Sequence, residues 1–282
     1  GIAAHGDDNI RHGRQPPGLD RGPISRRALP AGRARGVDAC TGHGSADLHA
    51  DRARFAAAAA TGWQLVETNS FQEIWYALSD AQEFKKVRWI VGGAGCGKTT
   101  TATMYAQKNH EVFVILCDED MRKGDFVREI ARKLGFKTCG MRIREILDLA
   151  IESIIQMENP LLVFDEGDKL NDNVFHYFIN LYNRLEGKCG ITFLSTDYIQ
   201  HRIDCGLNHN RKGYNEIYSR IGRKFFKLEP TSCNDVFAIC QANGLMDKKL
   251  IANVIDVTEK SEFDLRCVKD AIHREKKVAA AK

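Results

Sequence analysis

The sequence predicts an α/β fold, a parallel five-stranded sheet flanked by helices and followed by a small all-α unit. Three observations carry that expectation. Short apolar runs at Val87–Val91, Val112–Cys117, Leu161–Phe164, Ile191–Leu194 and Phe225–Leu228 alternate with amphipathic stretches near 98–108, 124–134, 141–157 and 172–186. Runs that are apolar throughout suit strands buried on both faces, as in a parallel sheet covered by helices. After Pro230 the strand signal stops, and Asp235–Asn243, Lys248–Glu259 and Asp264–Lys277 read as three helices. Lastly, a glycine-rich segment, Gly92–Thr99, joins the first strand to the next helix.

Ahead of these elements the composition differs. The first 62 of 282 residues hold four of the six prolines, ten of the 24 glycines and nine arginines, with no lysine or glutamate. A stretch so poor in large apolar residues buries too little surface to offset its ordering entropy. It is expected to be a disordered or non-native leader. Structure is expected from Trp63, with Ser70-Phe-Gln-Glu73 as a capping box and Phe71, Ile74, Trp75 and Leu78 on one helical face. The chain thus divides at 1–62, 63–230 and 231–282.

Charge excludes little. The formal +4 is concentrated in the leader, whose nine Arg and six Asp leave +1 for the rest, so a nucleic-acid partner has to rest on a local patch. Nine cysteines with no CxxC spacing read as scattered reduced thiols. No apolar run approaches the ~20 residues of a membrane span, and no secretory signal is visible, so a cytoplasmic location is expected.

Gly92-Gly93-Ala94-Gly95-Cys96-Gly97-Lys98-Thr99 satisfies G-x-x-x-x-G-K-[ST] between a strand and a helix. Its glycines let backbone N–H groups converge on phosphate oxygens, and the helix start adds its dipole. Lys98 is expected to reach the β- and γ-phosphates, Thr99 to ligate Mg²⁺, and Thr100 to continue the phosphate-binding helix start. Pro160-Leu-Leu-Val-Phe164 then delivers Asp165 and Glu166 to a strand end. Asp165 there holds Mg²⁺ through water, and Glu166 polarises the attacking water as general base. No NKxD-like segment follows, which favours ATP over GTP. The run Gly190–Leu194 ends in Ser195-Thr196-Asp197. Thr196 is expected at the γ-phosphate or the attacking water, with ordinary strand-end capping as the competing account.

These motifs, with Ser219-Arg220-Ile-Gly-Arg223 before the last strand, resemble an AAA+ ATPase of the P-loop NTPase class. From about Phe71 to Lys277 the chain resembles the MuB/TniB-type transposition ATPases of phages and mobile elements. The likeness is carried by Asn159–Leu170, Asn208–Lys227 and Asp264-Leu-Arg266. It implies that the C-terminal helices are a lid, that Arg220 or Arg223 reaches a neighbouring subunit's nucleotide, and that Arg266 contacts the nucleotide from its own subunit. An ion pair with Asp270 is the alternative for Arg266, and Arg220 and Arg223 share a surface only if their stretch is helical. It further implies loops lining a DNA channel, at Arg122, Lys123, Lys137, Arg142 and Arg144. Proteins of this type carry an amino-terminal helix-turn-helix domain; residues 1–62 show neither helical periodicity nor a recognition-helix pattern, so the resemblance implies no function for them.

The function so implied is an ATP-dependent, non-sequence-specific DNA-binding ATPase that presents double-stranded target DNA to a transposase, self-associating into helical or ring oligomers. Two other readings stay open: a helicase loader or replication initiator, and a nucleotide-gated protein-binding ATPase that never meets DNA.

Overall fold

The computed structural model describes residues 62–280, so the leader reading lies almost wholly outside the described residues. The elements run α1 (Asn69–Glu83), β1 (Val87–Val91), α2 (Lys98–Lys108), β2 (Val112–Leu116), α3 (Lys123–Lys133), α4 (Ile143–Ile155), β3 (Leu161–Asp165), a 3-10 turn (Gly167–Lys169) and α5 (Asp172–Leu185). There follow β4 (Gly190–Ser195), α6 (Tyr198–Asn208), α7 (Tyr214–Arg220), β5 (Phe226–Lys227), α8 (Cys233–Ala242), α9 (Lys248–Glu259) and α10 (Leu265–Ala280). The strands form one parallel sheet in the order β2-β3-β4-β1-β5.

Side chains alternate across that sheet because the strand repeat is two residues. Trp89, Val91, Leu162, Phe164, Ile191 and Phe193 bury one face against α3–α7, while Ile90, Leu161, Val163 and Leu194 bury the other against α1 and α2. On the first face rings pile across the strands: Trp89 on Phe193 (4.4 Å), Phe193 on Phe164 (5.1 Å) and Phe164 on Phe126 of α3 (5.2 Å). The Trp89 Nε1–H donates to Ser195 Oγ at 2.6 Å. A third cluster joins Val236, Ile239, Val254, Val268 and Ile272 of α8–α10, with Trp63 and Val66 packed against it.

Two expectations are corrected. Thr68, not Ser70, caps α1 by accepting from the Phe71 N–H. Ser70 already lies inside the helix, and its hydroxyl donates to the Glu229 carbonyl while Glu73 accepts the Glu229 N–H. The box residues therefore grip the chain as it leaves β5. In addition, α6 and α7 went unassigned in the sequence. The buried face of α6 is Ile199, Ile203 and Gly206, with a glycine in place of the third apolar residue that periodicity needs, and α7 is only seven residues long.

At Gly190 a Cβ would overlap the Ala81 carbonyl oxygen, a backbone atom of α1 that cannot rotate away. Gly190→Ala is expected to lower stability by about 1–3 kcal/mol, read as a reduced denaturant midpoint.

Candidate active site

The parallel register brings three strand ends together. Val91 pairs with Ser195, and Phe164 with Phe193, so the phosphate loop after β1, Asp165 at the end of β3 and Thr196 after β4 border one cleft of about 700 Å³. In the loop, Gly95 and Gly97 take φ of 73° and 95°, a region that favours glycine. Gly97 caps α2 from there. The Lys98 ammonium folds back to donate to the Gly92 and Gly93 carbonyls, at 2.9 and 2.8 Å. Gly92, Gly93, Ala94, Gly95, Cys96, Gly97, Thr99 and Thr100 follow one another around this turn, with Cys96 buried.

Asp165 is 1% exposed. Its Oδ1 accepts the Glu166 N–H at 3.0 Å, and its Oδ2 has no hydrogen-bond partner among the described residues. Burial pushes this carboxyl above the usual range, opposed by the Thr99 hydroxyl beside it and by Lys98. Glu166 turns the chain with φ 56°, a left-handed conformation that costs a non-glycine residue of order 1–3 kcal/mol. Its carboxylate pairs with Lys169, whose pKa that contact raises. Thr196 Oγ1 donates to Asp168 Oδ2 at 2.6 Å.

The C-terminal helices close the cleft from above. The Leu265 N–H donates to the Gly95 carbonyl at 3.1 Å, and Asp264 packs where a Cβ on Gly95 would stand. Arg266 and Lys269 of α10 line the cleft, and among the described residues no ion pair joins Arg266 to Asp270. Leu65, Val66 and Phe71 line it with Ile239 and Leu265, giving one apolar end. The strip is held by Asn243, whose side chain accepts the Gln64 N–H and donates to the Gln64 carbonyl.

Arg220 and Arg223 do not share a helical surface. Arg220 ends α7, and the chain turns through Gly222 (φ 73°) before Arg223, itself at φ 56°. The Arg220 guanidinium donates to Asn183 Oδ1 and the Glu216 carbonyl, lies over Tyr182 and borders a hollow at the amino end of β1 with Lys86 and Val87. Arg223 is exposed, its guanidinium 5.9 Å from the Tyr218 ring centre. Neither lines the cleft of its own chain.

The basic residues fare differently. α3 and α4 both begin Met-Arg-x-x-acid: Met121-Arg122-Lys123-Gly124-Asp125 and Met141-Arg142-Ile143-Arg144-Glu145. Each acid accepts the backbone N–H of its arginine. A Cβ on Gly124 would lie 3.2 Å from the Ile143 side chain, so the two helix starts adjoin. Arg122, Lys123, Arg142 and Arg144 are exposed there, and Lys137 is exposed on the connection between the helices.

Residues 85–203 match the AAA domain family. Those residues carry an AAA domain with a phosphate loop, and the chain resembles MuB-type proteins. It is 24% identical over 196 residues to the Mu-like prophage FluMu DNA transposition protein B of Haemophilus influenzae, covering 69% of this chain and 67% of that protein. The ATP-dependent target DNA activator B of Escherichia phage Mu is 23% identical over 197 residues, 68% of this chain; the match spans about three fifths of that relative, 61%. The fold resembles that of the Aeropyrum pernix ORC1 protein, solved in complex with DNA, with a TM-score of 0.55 at 13% identity over 76% of this chain and 60% of that one. An AAA+ phosphate loop implies nucleotide binding.

Sequence reasoning missed Asp168, Lys169, Lys269, Arg202 and the strip before α1. The three-residue spacing of Glu166 and Lys169 was a readable signal, whereas the strip meets the cleft only through tertiary packing. The eight described cysteines are all free.

Ionised Asp165 is a cost to the folded chain, because its folded pKa stands above the ordinary 3.8. Asp165→Asn is therefore expected to raise the thermal midpoint at pH 7 in chelator without nucleotide. That gain is full above the folded pKa and disappears only as pH falls below 3.8, where the carboxyl is protonated in both states. Thermal scans of both proteins across pH check this.

Proposed function

We propose that the cleft binds ATP with Mg²⁺, that it hydrolyses the nucleotide, and that the ATP-bound chain assembles on double-stranded DNA and presents it to a transposase. The observation that carries the nucleotide reading is the unpartnered, buried Oδ2 of Asp165 beside the Thr99 hydroxyl. A buried carboxylate oxygen left without a donor is costly unless a cation completes it. Thr99 and Asp165 are hard oxygen donors and fit Mg²⁺, the aspartate in part through water.

In this reading the backbone from Gly92 to Thr100 cradles phosphates, and Lys98 exchanges its two loop carbonyls for phosphate oxygens. The apolar end at Leu65, Val66, Phe71, Ile239 and Leu265 takes the base, and Arg266 and Lys269 face the phosphates from α10. Glu166 takes the proton of the attacking water; the left-handed turn aims it, and Lys169 pairs with its carboxylate. Thr196 helps position that water. Residues 63–230 act as the nucleotide-binding domain and residues 231 onward as its lid.

The adjoining helix starts support a phosphate-tracking face. Arg122, Lys123, Arg142 and Arg144 project from two helix amino ends, and repetition along an oligomer multiplies modest contacts. Lys137 extends this face. An arginine supplied across a head-to-tail contact would neutralise charge developing on the γ-phosphate. The exposure of Arg223 supports it over Arg220, which is occupied within its own chain. The relatives' names, a DNA transposition protein and a target DNA activator, support the transposase as partner. Among the described residues no helix is long and apolar enough to cross a membrane, and we place the protein in the cytoplasm.

Lys98→Ala is expected to abolish nucleotide binding, while Glu166→Gln retains it and loses turnover. Glu166→Gln mixed with Arg223→Ala should recover part of the hydrolysis, because mixed contacts pair an intact carboxylate with an intact arginine. Steady-state phosphate release measures both, and co-assembled mixtures that never recover would remove the shared site.

The triple variant Arg122→Ala/Arg142→Ala/Arg144→Ala should weaken binding to random duplex DNA and flatten its salt dependence by about one log–log unit for each phosphate no longer neutralised. ATP turnover without DNA should change little. Titrations over a series of salt concentrations decide it; an unchanged slope would move the DNA face elsewhere.

A further inference from the structure

Asp168 has no part in the chemistry proposed above, yet it receives the only hydroxyl proton of Thr196 (Oγ1 to Oδ2, 2.6 Å). A hydroxyl has one proton to give and two lone pairs to offer. With that proton committed to Asp168, Thr196 meets the cleft as an acceptor. It suits a donor such as water and has nothing to give a phosphate oxygen.

Asp168 is itself held from behind. Arg202 of α6 is 12% exposed and donates through Nη1 to the carbonyls of Asp168 (3.1 Å) and Leu170 (2.6 Å). Its Nη2 pairs with Asp172 at 2.6 Å, its Nε donates to the Tyr214 hydroxyl at 3.2 Å, and its guanidinium lies 4.5 Å from the Phe175 ring centre. Tyr214 in turn donates to Asp172 at 2.8 Å.

Tyr214 is the first residue of α7, and its ring occupies the space a Cβ on Gly206 would need. Helix α7 therefore cannot shift against α6 without moving the Tyr214 hydroxyl. Its far end carries Arg220 and leads to Arg223.

We propose that Asp168 and Arg202 are positioning residues forming a relay, Thr196–Asp168–Arg202–Tyr214, which ties the orientation of the Thr196 hydroxyl to the placement of α7. The relay makes Thr196 an acceptor that orients the attacking water. It also makes that orientation sensitive to whatever engages the end of α7, such as a second copy of this chain. This rests on the reading of Thr196 as a cleft residue in hydrolysis.

The test combines hydrolysis with a readout that needs none. In single-turnover assays Thr196→Val and Asp168→Ala are each expected to slow hydrolysis by about a hundredfold, with affinity for a fluorescent ATP analogue within about threefold of the parent. The double variant should be no slower than either single one, since both remove the same oriented hydroxyl. Asp168→Asn retains an acceptor oxygen and should recover most of the rate. Tyr214→Phe removes one hydroxyl while keeping the packed ring, and should slow hydrolysis measurably. Separately, in the nucleotide-free chain, Asp168→Ala and Tyr214→Phe should both shift the Thr196 methyl resonance, assigned through Thr196→Ser. Multiplicative losses in the double variant, or a Thr196 methyl unmoved by Tyr214→Phe, overturn the relay. If the parent chain hydrolyses nothing, the hydrolysis reading fails by itself, and the methyl shifts still decide whether the relay exists.

Discussion

The stack of rings from Trp89 through Phe193 and Phe164 to Phe126 is the constraint on which the rest of the architecture depends. Each ring sits on a different element, β1, β4, β3 and α3, so together they lock the relative register of three central strands. A slip of one residue in any of them would turn its ring to the opposite face. It would also carry a strand end away from the cleft, because Val91, Asp165 and Ser195 close the same strands the rings align. The hydrogen bond from Trp89 to Ser195 ends this alignment one residue before Thr196. Precision at the site is thus inherited from packing in the sheet.

Closure of the cleft depends on a second close approach. Gly95 leaves room for the Asp264 carboxylate, and the Leu265 N–H reaches the Gly95 carbonyl, so the start of α10 is fitted directly against the phosphate loop. The same helix presents Arg266 and Lys269 to the cleft. The polar demands of the site are met unevenly. Lys98, Glu166 and Thr196 each have a protein partner, and Asp165 keeps one oxygen without.

Most of the sheet was legible because buried parallel strands advertise themselves as apolar runs, and all five fell within a residue or two of their expected limits. The phosphate loop and the Asp165–Glu166 pair were legible for a different reason: their chemistry requires contiguous residues. What escaped was long-range. Ser70 and Glu73 spell a capping box, yet a buried contact with Glu229 uses them otherwise. α6 hides behind Gly206, whose worth lies in the Tyr214 ring it admits. Asp168 and Arg202 are 34 residues apart and meet only because α6 lies against the turn after β3. Arg220 and Arg223 share a spacing that suits a helix, but Gly222 ends that helix between them.

The first turn of α1 holds the connection into α8–α10 at two points. Ser70 and Glu73 bind the backbone of Glu229, and the Asn69 N–H donates to Asp235 in the first turn of α8. Anchored on both sides of residues 230–234, the three helices resemble a leaf hung from a corner hinge. Any opening is then a swing about that corner, smallest beside α1 and growing with distance from it, so the far margin travels most for a given effort.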